Sequence, residues 1–118
     1  MPGISLFAVF DGHGGPEVAR FCQNHIVPDL LADPDFKKKD YKKALTNIFL
    51  KFDKMILEED GIEELKSYSA KYQIQPPDEV TYGNAHNSGC TANVVLVTQT
   101  HIYCASAGDA RSVLYERG

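Results

Sequence analysis

The chain has 118 residues, 43% of them hydrophobic and 24% charged, with a formal net charge of −4. That length bounds it to one small domain of ordinary globular composition. The acidic balance argues against nucleic acid as a partner, because phosphate backbones attract Lys/Arg-rich surfaces. No apolar run approaches the roughly 20 residues of a membrane helix, and the first residues lack the pattern of a signal peptide, so no membrane partner is expected. Cys22, Cys90 and Cys104 form no C-x-x-C pair. They fit a reduced, intracellular chain, cytoplasmic or nuclear or both.

Ser5-Leu6-Phe7-Ala8-Val9-Phe10 is a short apolar run of β-formers and predicts a strand buried on both faces. Asp11-Gly12-His13-Gly14-Gly15 stops it. Pro16 suits a first helical residue, and Glu17 suits the first turn. Val18, Cys22, Ile26 and Leu30 then recur every four residues, predicting a helix from about 16 to 31. Pro28 predicts a kink or an end, since it removes an amide donor and crowds the Asn24 carbonyl. Lys37-Lys38-Lys39 reads as a solvated helix start. Asp40 is a candidate N-cap for a second helix, with Tyr41, Leu45, Ile48, Phe52, Met55 and Ile56 on one face. Gly61 is its expected end, and Ile62, Leu65, Tyr68 and Tyr72 allow a shorter helix beyond.

Gln75 to Asn87, with Pro76-Pro77 and Gly83, predicts an irregular loop. Cys90 to Thr98 and His101 to Ser106 read as strands joined in a hairpin at Gln99-Thr100, a pair without a strong turn signature. Ala107-Gly108-Asp109-Ala110 breaks the pattern, and Ser112 to Glu116 predicts a third strand. A strand, helices and then consecutive strands give an α+β layered domain.

The glycine-rich turn at 11–15 is the segment richest in chemistry. Its glycines let the backbone approach a ligand and take positive φ. Asp11, at the end of a rigid strand, is suited to a hard cation. His13 is suited to proton transfer, and the helix start beyond favours anions. A plain strand-to-helix turn with Asp11 bonding the backbone accounts for the same residues equally well. Gly108-Asp109-Ala110-Arg111 is weak alone: it reads first as a structural turn with Asp109 bonding nearby backbone amides and Arg111 in an ion pair, and second as a ligand turn with Arg111 on a phosphate. In Ser88-Gly89-Cys90-Thr91-Ala92, Thr91 reads either as a hydroxyl supporting a ligand or as a strand residue. Cys90 has no base beside it in sequence and reads as a buried thiol. His25, His86 and His101 show no metal-ligand spacing and read as surface or partly buried residues.

Three motifs thus occur in order: Phe7-Ala8-Val9-Phe10-Asp11-Gly12-His13-Gly14-Gly15, Ser88-Gly89-Cys90-Thr91-Ala92 and Ala107-Gly108-Asp109-Ala110-Arg111. Their order resembles that of the type 2C (PPM) metal-dependent serine/threonine protein phosphatases, over the whole chain apart from the region 61–87. The resemblance implies a four-layer α-β-β-α sandwich with antiparallel sheets, of which residues 1–118 form part. It implies a binuclear Mn²⁺ or Mg²⁺ centre at one end and a phosphorylated protein as substrate. Asp11 would bridge the metals, the Gly12 carbonyl would bind one of them, and Asp109 would hold a further, weaker ion. His13 would be the general acid. The reaction would be a direct attack on phosphorus by metal-activated water.

The departures are informative. Ala110 stands where the family usually has Ser. The family segment that supplies an Arg for the substrate phosphate, and later aspartates near the metals, have no counterpart within 1–118. The expectation is therefore a partial catalytic domain, inactive alone, whose open strand edges invite self-association. The alternative is a non-catalytic, phosphatase-like binding or regulatory module. A nucleotide-binding turn is disfavoured, because neither G-x-G-x-x-G nor G-x-x-x-x-G-K-[ST] occurs.

Overall fold

In the computed structural model, which describes residues 3–72 and 88–118, nine elements follow in chain order. Strand β1 (Ser5–Val9) and the two-residue β2 (Gly12–His13) come first. Helices α1 (Glu17–Ala32), α2 (Pro34–Lys37), α3 (Tyr41–Met55) and α4 (Glu59–Tyr72) come next. Strands β3 (Gly89–Cys90), β4 (Ala92–Val97) and β5 (Ile102–Ala107) follow. The chain is α+β with antiparallel sheets, as expected. The loop expected over Gln75–Asn87 lies outside the described residues.

β4 is central, in the order β1-β4-β5. Ser5 faces Val97 and Val9 faces Asn93. The same register carries on beyond the sheet, with Gly12 facing Cys90 and His13 facing Gly89. Residues 5–13 therefore run against 89–97 as one ladder, interrupted near Asp11 and Thr91. The hairpin between β4 and β5 is closed by Thr98, whose amide donates to the His101 carbonyl at 2.9 Å. Its hydroxyl oxygen also accepts from the amides of Thr100 and His101. That side chain supplies the closure that Gln99-Thr100 lacks as a turn pair.

Strand alternation then sorts the side chains. Leu6, Val94, Leu96, Tyr103 and Ala105 meet the helices, where Val18, Phe21, Ile26 and Leu30 of α1, Leu45, Ile48 and Phe52 of α3 and Leu65 of α4 complete one core. Phe21, Ile48, Val94 and Leu96 are fully buried, each contributing roughly 1.5–3 kcal/mol. Ser69 Oγ donates to Glu17 Oε1 at 2.6 Å and ties α4 to the first turn of α1. His25 stacks on Phe21 and bonds Glu64 across the same pair of helices, a half-buried setting in line with expectation. His101 is exposed, and His86 lies outside the described residues.

The structure corrects several expectations. β1 is covered on one face only: Phe7 is 63% and Val9 62% exposed, because the helices pack on the side of Leu6 and leave the other side bare. α1 does not end at Pro28, one of the two outcomes expected there, and runs on to Ala32. Pro28 and Asn24 both lie on the exposed side, where the carbonyl that the proline leaves free is open to solvent. Gly61 sits inside the first turn of α4 rather than ending α3, which stops at Met55. A Cβ at residue 61 would come within 1.9 Å of the Met55 carbonyl oxygen, so the glycine permits that close approach. The strand expected over 90–98 divides at Thr91 into β3 and β4. Ser112–Glu116 forms no strand; Val113, Leu114 and Tyr115 stand exposed. The tail is held instead by side chains, with Ser106 Oγ donating to the Ala110 carbonyl and Ser112 Oγ to Asn93 Oδ1.

Two capping carboxylates set the helix starts. Asp40 accepts from the Lys43 amide, as the sequence predicts. Asp33, which begins the unpredicted short helix α2, accepts from the amides of Asp35 and Phe36 at 2.9 and 3.1 Å. Lys37, Lys38 and Lys39 are exposed, but Lys37 ends α2 and Lys38 and Lys39 form the turn before α3, so the run is not the helix start expected.

Candidate functional site

Asp11 leaves β1 at the end of the sheet and is fixed by its backbone. Its amide donates to Thr91 Oγ1 at 3.3 Å, and its carbonyl accepts from the Thr91 amide at 2.9 Å. The carboxylate is left exposed. On the other side of Thr91 stands the turn after β5. Ala92 faces Ala107, so the register carried one residue further sets Thr91 against Gly108. Gly108 has φ +98°, and a Cβ there would lie 2.8 Å from Thr91 Cγ2. Thr91 is thus wedged between Asp11 and the Gly108-Asp109 turn and brings both aspartates to one end of the sheet.

His13 is placed by β2. Its imidazole lies over Gly89, where a Cβ would come within 2.7 Å of Nε2. Gly14 and Gly15 take positive φ, at 69° and 138°, in the turn that enters α1. Asp11, Gly12, His13 and Asp109 are all solvent-exposed. Beside His13, a cavity of about 590 Å³ runs between α1, α3 and β3, with Phe10, Cys22, Phe49, Ile56 and Cys90 among its lining residues.

The donors Asp11, the Gly12 carbonyl and Asp109 are hard oxygens, the kind that Mg²⁺ and Mn²⁺ prefer. They suit such a centre in kind and fall short in number. Among the described residues, no three His, Cys, Asp or Glu side chains converge on one point.

The sequence reading missed two features here. One is Gly89, the platform under His13; its signal was a glycine in a motif already singled out. The other is the contact of Cys22 with Cys90, whose sulfurs lie 3.7 Å apart across 68 residues of sequence. The hydrogen bond between them pushes the two thiols apart in acidity. It lowers the pKa of half-buried Cys90, while the same bond together with burial pushes that of Cys22 up.

The family described as Protein phosphatase 2C matches residues 2–118. "Protein phosphatase 2C 1" of Paramecium tetraurelia is 43% identical over 111 residues, covering 94% of this chain and 34% of that protein. "Probable protein phosphatase 2C 6" of the same organism is 43% identical over 117 residues, covering 99% of this chain and 36% of that protein. "Protein phosphatase 2C homolog 3" of Schizosaccharomyces pombe is 39% identical over 115 residues, covering 98% and 23% respectively. The chain thus spans about a third or less of the length of these curated relatives. No solved structure matches. With the family match running from residue 2 to the last residue, the chain belongs to the protein phosphatase 2C family.

Proposed function

We propose that this chain is part of the catalytic domain of a protein serine/threonine phosphatase, and that it carries one portion of a metal-dependent site. The observation that supports this most strongly is the wedge of Thr91 between Asp11 and the Gly108-Asp109 turn. It gathers exposed hard donors at a sheet end beside a histidine. Asp11 and the Gly12 carbonyl would hold a pair of Mn²⁺ or Mg²⁺ ions, with Asp109 at a further ion. When bound, such ions lower the pKa of water and offset charge on phosphoryl oxygens. His13, exposed above Gly89, would give its proton to the departing serine or threonine oxygen. The substrate would be a phosphorylated protein.

The bare face of the β1-β4-β5 sheet supports the four-layer sandwich. Phe7, Val9 and Ile102 are 63%, 62% and 55% exposed on a surface that a second sheet would cover. By strand alternation Asp11 lies on the same side as Phe7 and Val9. A covering layer would therefore bring its own carboxylates towards Asp11. The three free cysteines accord with a reducing intracellular compartment.

Two carboxylates are too few for two dications, which favours a non-catalytic state of these 118 residues on their own. The test is a Mn²⁺-dependent phosphopeptide assay of this chain beside a longer protein that contains it. The expected result is background turnover for the chain, and turnover by the longer protein that Asp11→Asn abolishes. Robust hydrolysis by the chain itself would show that its ligand set is complete. An inactive longer protein that binds phosphatase substrates would favour the regulatory module.

A further inference from the structure

The Cys22–Cys90 contact is not used by the chemistry above, and it joins the helix that follows the glycine turn to the strand that faces it. Cys22 is 6% exposed on α1; Cys90 is half-buried on β3; their sulfurs are 3.7 Å apart. Both line the cavity of about 590 Å³, which gives a small oxidant a path to the pair. Cys104, the remaining thiol, faces Val95 on the bare side of the sheet, away from both.

We propose that Cys22 and Cys90 form a peroxide-responsive dithiol that closes to a disulfide between α1 and β3. In the first step the Cys90 sulfur, the more accessible of the two, attacks hydrogen peroxide. The O–O bond breaks, Cys90 becomes a sulfenic acid and one water leaves. In the second step the Cys22 sulfur attacks the Cys90 sulfur. The S–O bond breaks, the S–S bond forms, and a second water leaves with the Cys22 proton. One peroxide is reduced by two electrons and the two thiols are oxidised by two. An S–S bond of about 2.05 Å requires the sulfurs to approach by roughly 1.6 Å. Cys90 faces Gly12, and the next residue, Thr91, holds Asp11, so movement of Cys90 reaches both. Oxidation therefore changes the setting of the glycine turn. The dithiol itself does not depend on the phosphatase reading.

The test uses the full 118-residue chain with Cys104→Ser, which removes the exposed thiol. The protein is treated with hydrogen peroxide and examined by intact mass, peptide mapping and amide hydrogen exchange. The expected result is a monomer lighter by two hydrogens, with a Cys22–Cys90 cross-linked peptide that dithiothreitol reverses. Exchange should change at the amides of Asp11 to His13 relative to the reduced chain. Two free thiols after treatment, a cross-link between molecules, or sulfinic acid at Cys90 with Cys22 still free would each overturn the dithiol. An intramolecular disulfide with unchanged exchange at 11–13 would overturn its coupling to the turn. A Cys22→Ala, Cys104→Ser variant supplies an independent check: a sulfenic acid trapped at Cys90 by dimedone supports attack there, and oxidation confined to other residues overturns it.

Discussion

Asp11 and Thr91 hold each other by two hydrogen bonds of opposite sense, the Asp11 amide to Thr91 Oγ1 and the Thr91 amide to the Asp11 carbonyl. The second bond belongs to the ladder and survives any side chain at 91. The first depends on a hydroxyl. Thr91→Val keeps the shape and loses that acceptor. It should lower stability by about 1 kcal/mol, with Thr91→Ser closer to the parent chain. Urea unfolding of the three proteins checks this, and equal midpoints for all three would show that the hydroxyl contributes nothing.

Gly108 presses on the same threonine from the other side. Gly108→Ala meets both a positive φ and a 2.8 Å approach to Thr91 Cγ2. The backbone strain alone costs about 1–3 kcal/mol. Thr91→Ser in the same chain removes the clashing methyl and should recover part of the loss, while the φ cost stays. A double-mutant cycle reads the coupling directly. Strictly additive losses would mean that the two residues do not press on each other.

His13 is tested in a longer, active protein. With a phosphopeptide, whose leaving oxygen needs a proton, His13→Ala should reduce kcat by about 10²–10⁴-fold. With an aryl phosphate, whose phenolate departs without help, the loss should be much smaller. Similar losses on both substrates would assign His13 to structure, through its seat on Gly89, rather than to proton transfer.

Phe7 and Ile102 stand on the bare sheet face, and β1 and β5 are its edges. Apolar patches of this kind are uncommon on stable monomers, and open edges accept further strands. The 118-residue chain should therefore sediment with a concentration-dependent mass. Phe7→Ser together with Ile102→Glu should shift it towards monomer. A compact monomer at micromolar concentration for the unsubstituted chain would remove this face as an association surface.

Local chemistry made much of this protein legible in its sequence. The four-residue apolar period of α1, the Asp40 cap, the single apolar face of α3 and the β4–β5 hairpin all follow from interactions within a few residues. The three motifs that carry Asp11, Thr91 and Asp109 were each ambiguous alone, and their order along the chain made them legible through resemblance to a family. Tertiary structure decided the rest. Pro28 sits within a helix because its side of α1 faces water, and Gly61 lies inside a helix because Met55 presses against it. β1 has a bare face because the helices pack only on the side of Leu6, which a short apolar run does not record. The placing of Thr91 against Asp11 came from strand register across 80 residues of separation, and that of Cys22 against Cys90 from the packing of α1 on the sheet across 68. No periodicity records contacts at that range.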